Sequence, residues 1–177
     1  MNRLPIAPAI AVLLISLLPI SLAAIDLPLH AASAGKTRTY YIAAEETTWD
    51  YAPAGRDVVM GMDFDDDAAV FVGRSNDRVG SKYKKAIFVE YTDATFNERK
   101  PRPAAWQHLG ILGPIIHAQV SDKIRVVFRN MASRPYSIHP HGVFYTKANE
   151  GALTNDGTSE AERAGGAVAP QSTHVYE

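Results

Sequence analysis

The sequence predicts an all-β fold, a sandwich or barrel of antiparallel strands, and three observations carry that expectation. Short apolar runs alternate with period two, Gly- and Pro-containing turns separate them, and no apolar pattern at helical spacing lasts long enough for a core helix. With 46% hydrophobic and 21% charged residues, the 177-residue chain lies in the globular range, and one domain, residues 35–177, is expected after a leader.

The leader spans residues 1–34 and reads as a signal peptide. It has a positive start at Arg3, an apolar stretch from Ile10 to Leu22, and an Ala32-Ser33-Ala34 pattern that suits cleavage. A membrane anchor is the rival, since Ile6 to Ile25 carries no charge and is long enough to cross a bilayer. Pro8, Pro19 and the Ala-rich exit favour cleavage, so the expected product is exported, periplasmic or extracellular, without stable membrane association.

Thr37 to Trp49 (TRTYYIAAEETTW), rich in β-branched and aromatic residues, predicts a first strand with a bend near Glu45. Ala52 to Arg56 and the acidic run Asp63 to Asp67 are expected as loops, the latter solvated rather than cation-binding. Lys85 to Tyr91 (KAIFVEY) predicts a second strand. Gly113 to Asn130 predicts two strands around a Ser121-Asp122 turn, with Ile124, Val126 and Phe128 on one face and Arg125, Val127 and Arg129 on the other. Met131 to Tyr136 turns the chain, and Asn149 to Ala169 is an aperiodic excursion. Thr173 to Glu177 resumes a strand, and a sequence stopping there is expected to be truncated before its last strands.

Composition excludes several classes of function. Eighteen Lys and Arg nearly balance nineteen Asp and Glu, with no long basic run, so nucleic-acid binding has no electrostatic basis. No cysteine is present, which removes disulfides, thiol nucleophiles, iron–sulfur ligation and the thiolate that a blue copper centre needs. Hydrolase and nucleotide-binding motifs (G-x-S-x-G, P-loop, G-x-G-x-x-G) are missing as well.

The candidate site is Ser137-Ile138-His139-Pro140-His141-Gly142-Val143. On an extended segment residues i and i+2 point the same way, so His139 and His141 present two imidazoles side by side, a donor set that suits late first-row metals. Pro140 keeps His139 extended and cannot donate to a ladder, which places the motif at an edge or opening. Gly142 lets the backbone turn behind the second ligand. Spacing alone does not establish a metal site, because six histidines make an H-x-H a common coincidence and two ligands fall short of a tight site. His117 is expected at a solvated rim, His108 beside Trp106 and His174 on a strand as structural side chains.

The wider pattern is more specific. YYIAAEETTWDYAP, YKKAIFVEYTDATF, LGILGPIIHAQVSDKIRVVFRNMASRPYSIHPHG and YTKANEGA occur in order and cover most of the chain after the leader. In these pieces the run from Tyr40 to Pro170 resembles the first plastocyanin-like (cupredoxin) domain of ceruloplasmin-type multicopper oxidases. The resemblance implies a Greek-key β-sandwich and an oxidase that moves electrons from a donor, through a type 1 copper, to a trinuclear copper cluster that reduces dioxygen to water. Four H-x-H or H-C-H pairs hold that cluster in the family. By the match, His139 is a type 2 and His141 a type 3 copper ligand, with the remaining ligands beyond Glu177, in further cupredoxin domains of a longer chain or in a homo-oligomer. Ser121 stands where the family turn usually has glycine, and Gly165 and Gly166 replace acidic residues of a calcium site, so calcium is not carried over. The partners implied are dioxygen and an electron donor, ferrous iron among the possible ones, and this chain alone is expected to be inactive. The alternative is a non-catalytic copper-binding or interaction domain of the same fold.

Overall fold

The computed structural model describes residues 35–177, so the leader lies outside the described residues. Four strands form one mixed sheet: β1 (Thr37–Asp50), β2 (Lys82–Tyr91), β3 (Lys123–Asn130) and β4 (Thr173–Tyr176), in the order β2-β1-β3-β4. β2 pairs antiparallel with β1 from Tyr41↔Tyr91 to Asp50↔Lys82, and β4 antiparallel with β3 from Val126↔Tyr176 to Arg129↔Thr173. The central pair departs from the antiparallel expectation, since β1 and β3 run parallel from Thr37↔Lys123 to Ala44↔Asn130. The fold is all-β, as the alternation predicts.

Position in the sheet explains composition. β1 is central, and its Ile42, Ala43 and Ala44 are all buried, as a strand covered on both faces requires. Ile42 and Ala44 join Val126, Phe128, Ala132, Val168 and Tyr176 on one face, while Ala43, Tyr91 and Phe96 pack on the other. The alternation of β3 falls out as expected, with Val126 and Phe128 inward. Ile138, Tyr136 and Ile124 lean on the first cluster, so the residue preceding His139 is anchored to the core.

β1 runs unbroken through Glu45, where its pairing with β3 has ended at Ala44 while that with β2 continues to Asp50. Two sequence expectations are corrected. Asp66 and Asp67 open a short helix, α1 (Asp66–Val72), rather than a loop, because Asp65 caps it by accepting from the Ala68 amide at 2.8 Å and acidic residues suit a first helical turn. Gly113 to Val120 is not a strand. Pro114 has no N–H to give, and His117 satisfies its backbone on the Tyr40 hydroxyl, which accepts from its N–H at 2.9 Å and donates to its carbonyl at 2.7 Å.

Asn130 ends β3 fully buried and connects the sheet to the segment carrying the histidines. Its amide Nδ2 donates to the carbonyls of Arg134 (2.7 Å) and Val168 (2.8 Å), and its Oδ1 accepts from the Ala132 amide at 2.9 Å. Both N–H donors and the oxygen of that side chain bond to the Met131–Tyr136 turn or to the chain beside it, which a buried amide needs to avoid a desolvation penalty. Among the described residues no helix is long and apolar enough to cross a membrane.

Candidate metal centre

His139 and His141 come together as the i, i+2 geometry predicts. Their ring centroids lie 4.7 Å apart at an interplanar angle of 85°, and both residues are exposed. The segment Ser137–Tyr145 belongs to no strand, so its shape is set by side-chain and loop contacts rather than by a ladder.

Those contacts are specific. The Ile138 amide donates to the Tyr176 hydroxyl at 3.2 Å, and that hydroxyl donates to the Gly165 carbonyl at 2.6 Å. His139 Nδ1 lies 2.6 Å from the Glu150 carbonyl oxygen. A carbonyl only accepts, so Nδ1 carries a proton and Nε2 is the nitrogen left to face a metal. Gly151, at φ +67°, backs onto the Ile138 carbonyl so closely that an added Cβ would sit 1.8 Å from that oxygen. Only glycine allows this approach, which brings the Glu150 carbonyl to the first histidine.

The donor set fits copper in chemistry and in preparation: two imidazoles side by side at an opening, one with its tautomer fixed for Nε2 ligation. It is a partial set. Among the described residues no group of three or more His, Cys, Asp or Glu side chains is placed to hold a metal ion.

The other histidines go elsewhere. His117 is exposed and stacks on Trp106 with centroids 5.5 Å apart, 29° between planes. His108 sits in the 3₁₀ turn Ala104–Leu109. His174 on β4 packs against Tyr176 at 4.6 Å, and its buried Nε2 has no hydrogen-bond partner, so burial pushes its pKa down. An added Cβ at Gly165 would lie 2.7 Å from that Nε2, so a side chain there would collide with the ring.

Sequence reasoning missed the support of the pair, namely Glu150, Gly151, Tyr176 and Asn130. The signals were present as an Asn closing an apolar strand and a Glu-Gly dipeptide shortly after the motif, but neither specifies its partner.

Comparison with known proteins agrees with this architecture. A family model described as multicopper oxidase matches residues 88–177, from within β2 through the histidine pair and β4. Ferroxidase HEPHL1 of Homo sapiens is 47% identical over 142 residues, 79% of this chain and 12% of that protein. Hephaestin of Mus musculus is 44% identical over 144 residues, covering 80% and 12%. Ceruloplasmin of Rattus norvegicus is 49% identical over 144 residues, covering 79% and 13%. The chain thus spans about an eighth of the length of these relatives. A β-domain that resembles the ceruloplasmin group from Tyr40 onward, carries a paired-imidazole motif on its surface and matches this copper-dependent family over half its length belongs to the multicopper oxidases, as a ceruloplasmin-type cupredoxin domain.

Proposed function

We propose that this chain is the N-terminal cupredoxin domain of an exported multicopper oxidase, and that His139 and His141 give one pair of ligands to its trinuclear copper cluster. His139 serves the type 2 copper and His141 a type 3 copper. When bound, copper would supply the electron transfer from donor to dioxygen. The chain's own part is to present two imidazoles side by side at an opening, the first oriented by the Glu150 carbonyl. The observation that carries this reading is the contact of His139 Nδ1 with the Glu150 carbonyl beside a second ring 4.7 Å away, because fixing the tautomer has no evident use for a solvated histidine.

Exposure of the pair supports completion of the cluster by other polypeptide, either further cupredoxin domains or a second copy. Val143, the last residue of the motif, and Phe144 after it are exposed apolar residues on the same stretch. Ferrous iron is the favoured donor, since a relative at 47% identity is named a ferroxidase. Export rests on the reading of residues 1–34 as a cleaved signal, and N-terminal sequencing of the mature protein should begin near Gly35.

The test of the site is the double change His139→Ala and His141→Ala in the complete protein. Cluster copper and oxygen uptake should fall, while stability moves by less than about 0.5 kcal/mol, as for exposed positions away from the core. Unchanged copper content with normal turnover would overturn the assignment.

A further inference from the structure

Behind the Glu150 carbonyl lies a group of charges that the copper ligands alone do not require. Lys147, in the 3₁₀ turn Lys147–Asn149, forms ion pairs with both Glu150 and Asp156, and its ammonium also donates to Thr154 Oγ1 at 2.6 Å. Asp156 is held further, accepting from Thr154 Oγ1 at 2.9 Å and from Thr158 Oγ1 at 2.6 Å. Glu150 Oε2 is shut off from solvent and accepts no other hydrogen bond, so the Lys147 ammonium is its compensation. A shielded carboxylate oxygen that loses its cation must move to water or take up a proton.

We infer that Lys147 is a positioning residue for His139: by fixing the Glu150 side chain it holds the Glu150 carbonyl against His139 Nδ1, and so selects the tautomer that leaves Nε2 free. The residue would thus act on the metal through two intervening groups. Gly151 transmits the constraint, since its close approach to the Ile138 carbonyl ties this loop to the residue before His139. No covalent or redox step is involved. The inference deepens the copper reading above and rests on it only for affinity.

The charges around Lys147 are consistent with this role. Hydrogen bonds donated to both carboxylates raise the pKa of Lys147, and the same ammonium holds Asp156 well below the usual carboxylate range, so this pair stays charged across the neutral range.

The test compares the chain with its Lys147→Met, Lys147→Arg and Lys147→Met/Glu150→Gln variants. Ring ¹⁵N shifts of His139 would be read in metal-free protein at about pH 8, where imidazole is neutral. Backbone amide shifts of β1 and β3 would report folding. The native chain should show the Nδ1–H form. Lys147→Met should shift the population toward Nε2–H with the sheet shifts unchanged, and Cu²⁺ affinity should drop about 10-fold, as for lost support of a ligand histidine. Lys147→Arg should restore the native pattern. The double variant should restore it too, because the shielded Glu150 oxygen no longer carries a charge, while Asp156 keeps its hydrogen bonds from Thr154 and Thr158, and it serves as the folded reference should Lys147→Met unfold. A native tautomer in folded Lys147→Met overturns the inference, as does a double variant no better than the single one. The tautomer shift without any copper binding would sink the copper reading and leave the positioning role standing.

Discussion

β3 and the histidine segment are neighbours in the chain, separated only by the turn at Met131–Tyr136, yet they are held in opposite ways. β3 is paired on both sides, parallel to β1 and antiparallel to β4, and its Phe128 is fully buried. Ser137–Tyr145 has no strand partner, exposes both ligands, and depends on single contacts to Tyr176, Glu150 and Gly151. Stability and ligand geometry are therefore lodged in different residues. Substitutions should separate them, with framework changes costing folding and segment changes costing metal geometry.

The largest expected effect lies in the framework. Phe128→Ala removes the side chain that contacts both Phe88 (5.8 Å between centroids) and Tyr176 (6.2 Å), and should cost about 3–5 kcal/mol in denaturant unfolding. A loss below about 1 kcal/mol would break the contrast. Next is Gly151→Ala, at the junction of the two regions. Its Cβ would meet backbone rather than a flexible side chain, so about 2–3 kcal/mol is expected, together with a disturbed His139 ring environment by NMR. A change in stability alone would mean that the junction does not set the site.

Ser121→Gly should work in the other direction. Ser121 holds φ +76° in the turn before β3, a left-handed conformation that favours glycine, and relieving it should raise stability by about 0.5–1 kcal/mol with the histidines untouched. Thermal unfolding at fixed pH would show it.

The smallest effect is a pH dependence. Burial lowers the pKa of His174, so the unfolded chain binds its proton more readily than the folded one. The stability this group gives is fully present above its ordinary value of about 6.5 and is lost as pH falls through the folded value. Asp122 behaves differently: beside Arg38, and accepting from the Lys36 and Gln119 amides, it is held at about 2, so its contribution persists until much stronger acid. Replacing His174 with Phe should flatten the stability profile in the window just below about pH 6.5 and leave the acid limb in place. A profile unchanged in that window would show that the ring is accessible to protons in the folded state.

How much of this was legible in the sequence follows from range. The strands at Thr37, Lys85, Lys123 and Thr173 could be read because period-two alternation is a local property, and so could the pairing of His139 with His141, since i and i+2 share a face. The parallel register of β1 with β3 could not, because it joins residues 86 positions apart. Gly113 to Val120 shows the reverse error. Its apolar alternation is genuine, but its backbone is met by a tyrosine hydroxyl rather than by a strand. The histidines could be named from their motif, whereas Lys147 and Glu150 looked like ordinary surface charges until the fold put one carbonyl against one ring nitrogen.

The most direct measurement is a Cu²⁺ titration of this chain followed by electron paramagnetic resonance and oxygen uptake, with the His139→Ala/His141→Ala variant alongside. One weakly held, chelator-labile copper with nitrogen hyperfine coupling from imidazole is predicted, lost in the variant, with no blue colour and no oxygen consumption in the presence of ferrous iron. Identical copper binding by the variant, or oxygen turnover by the copper-loaded chain without any other polypeptide, would contradict the account.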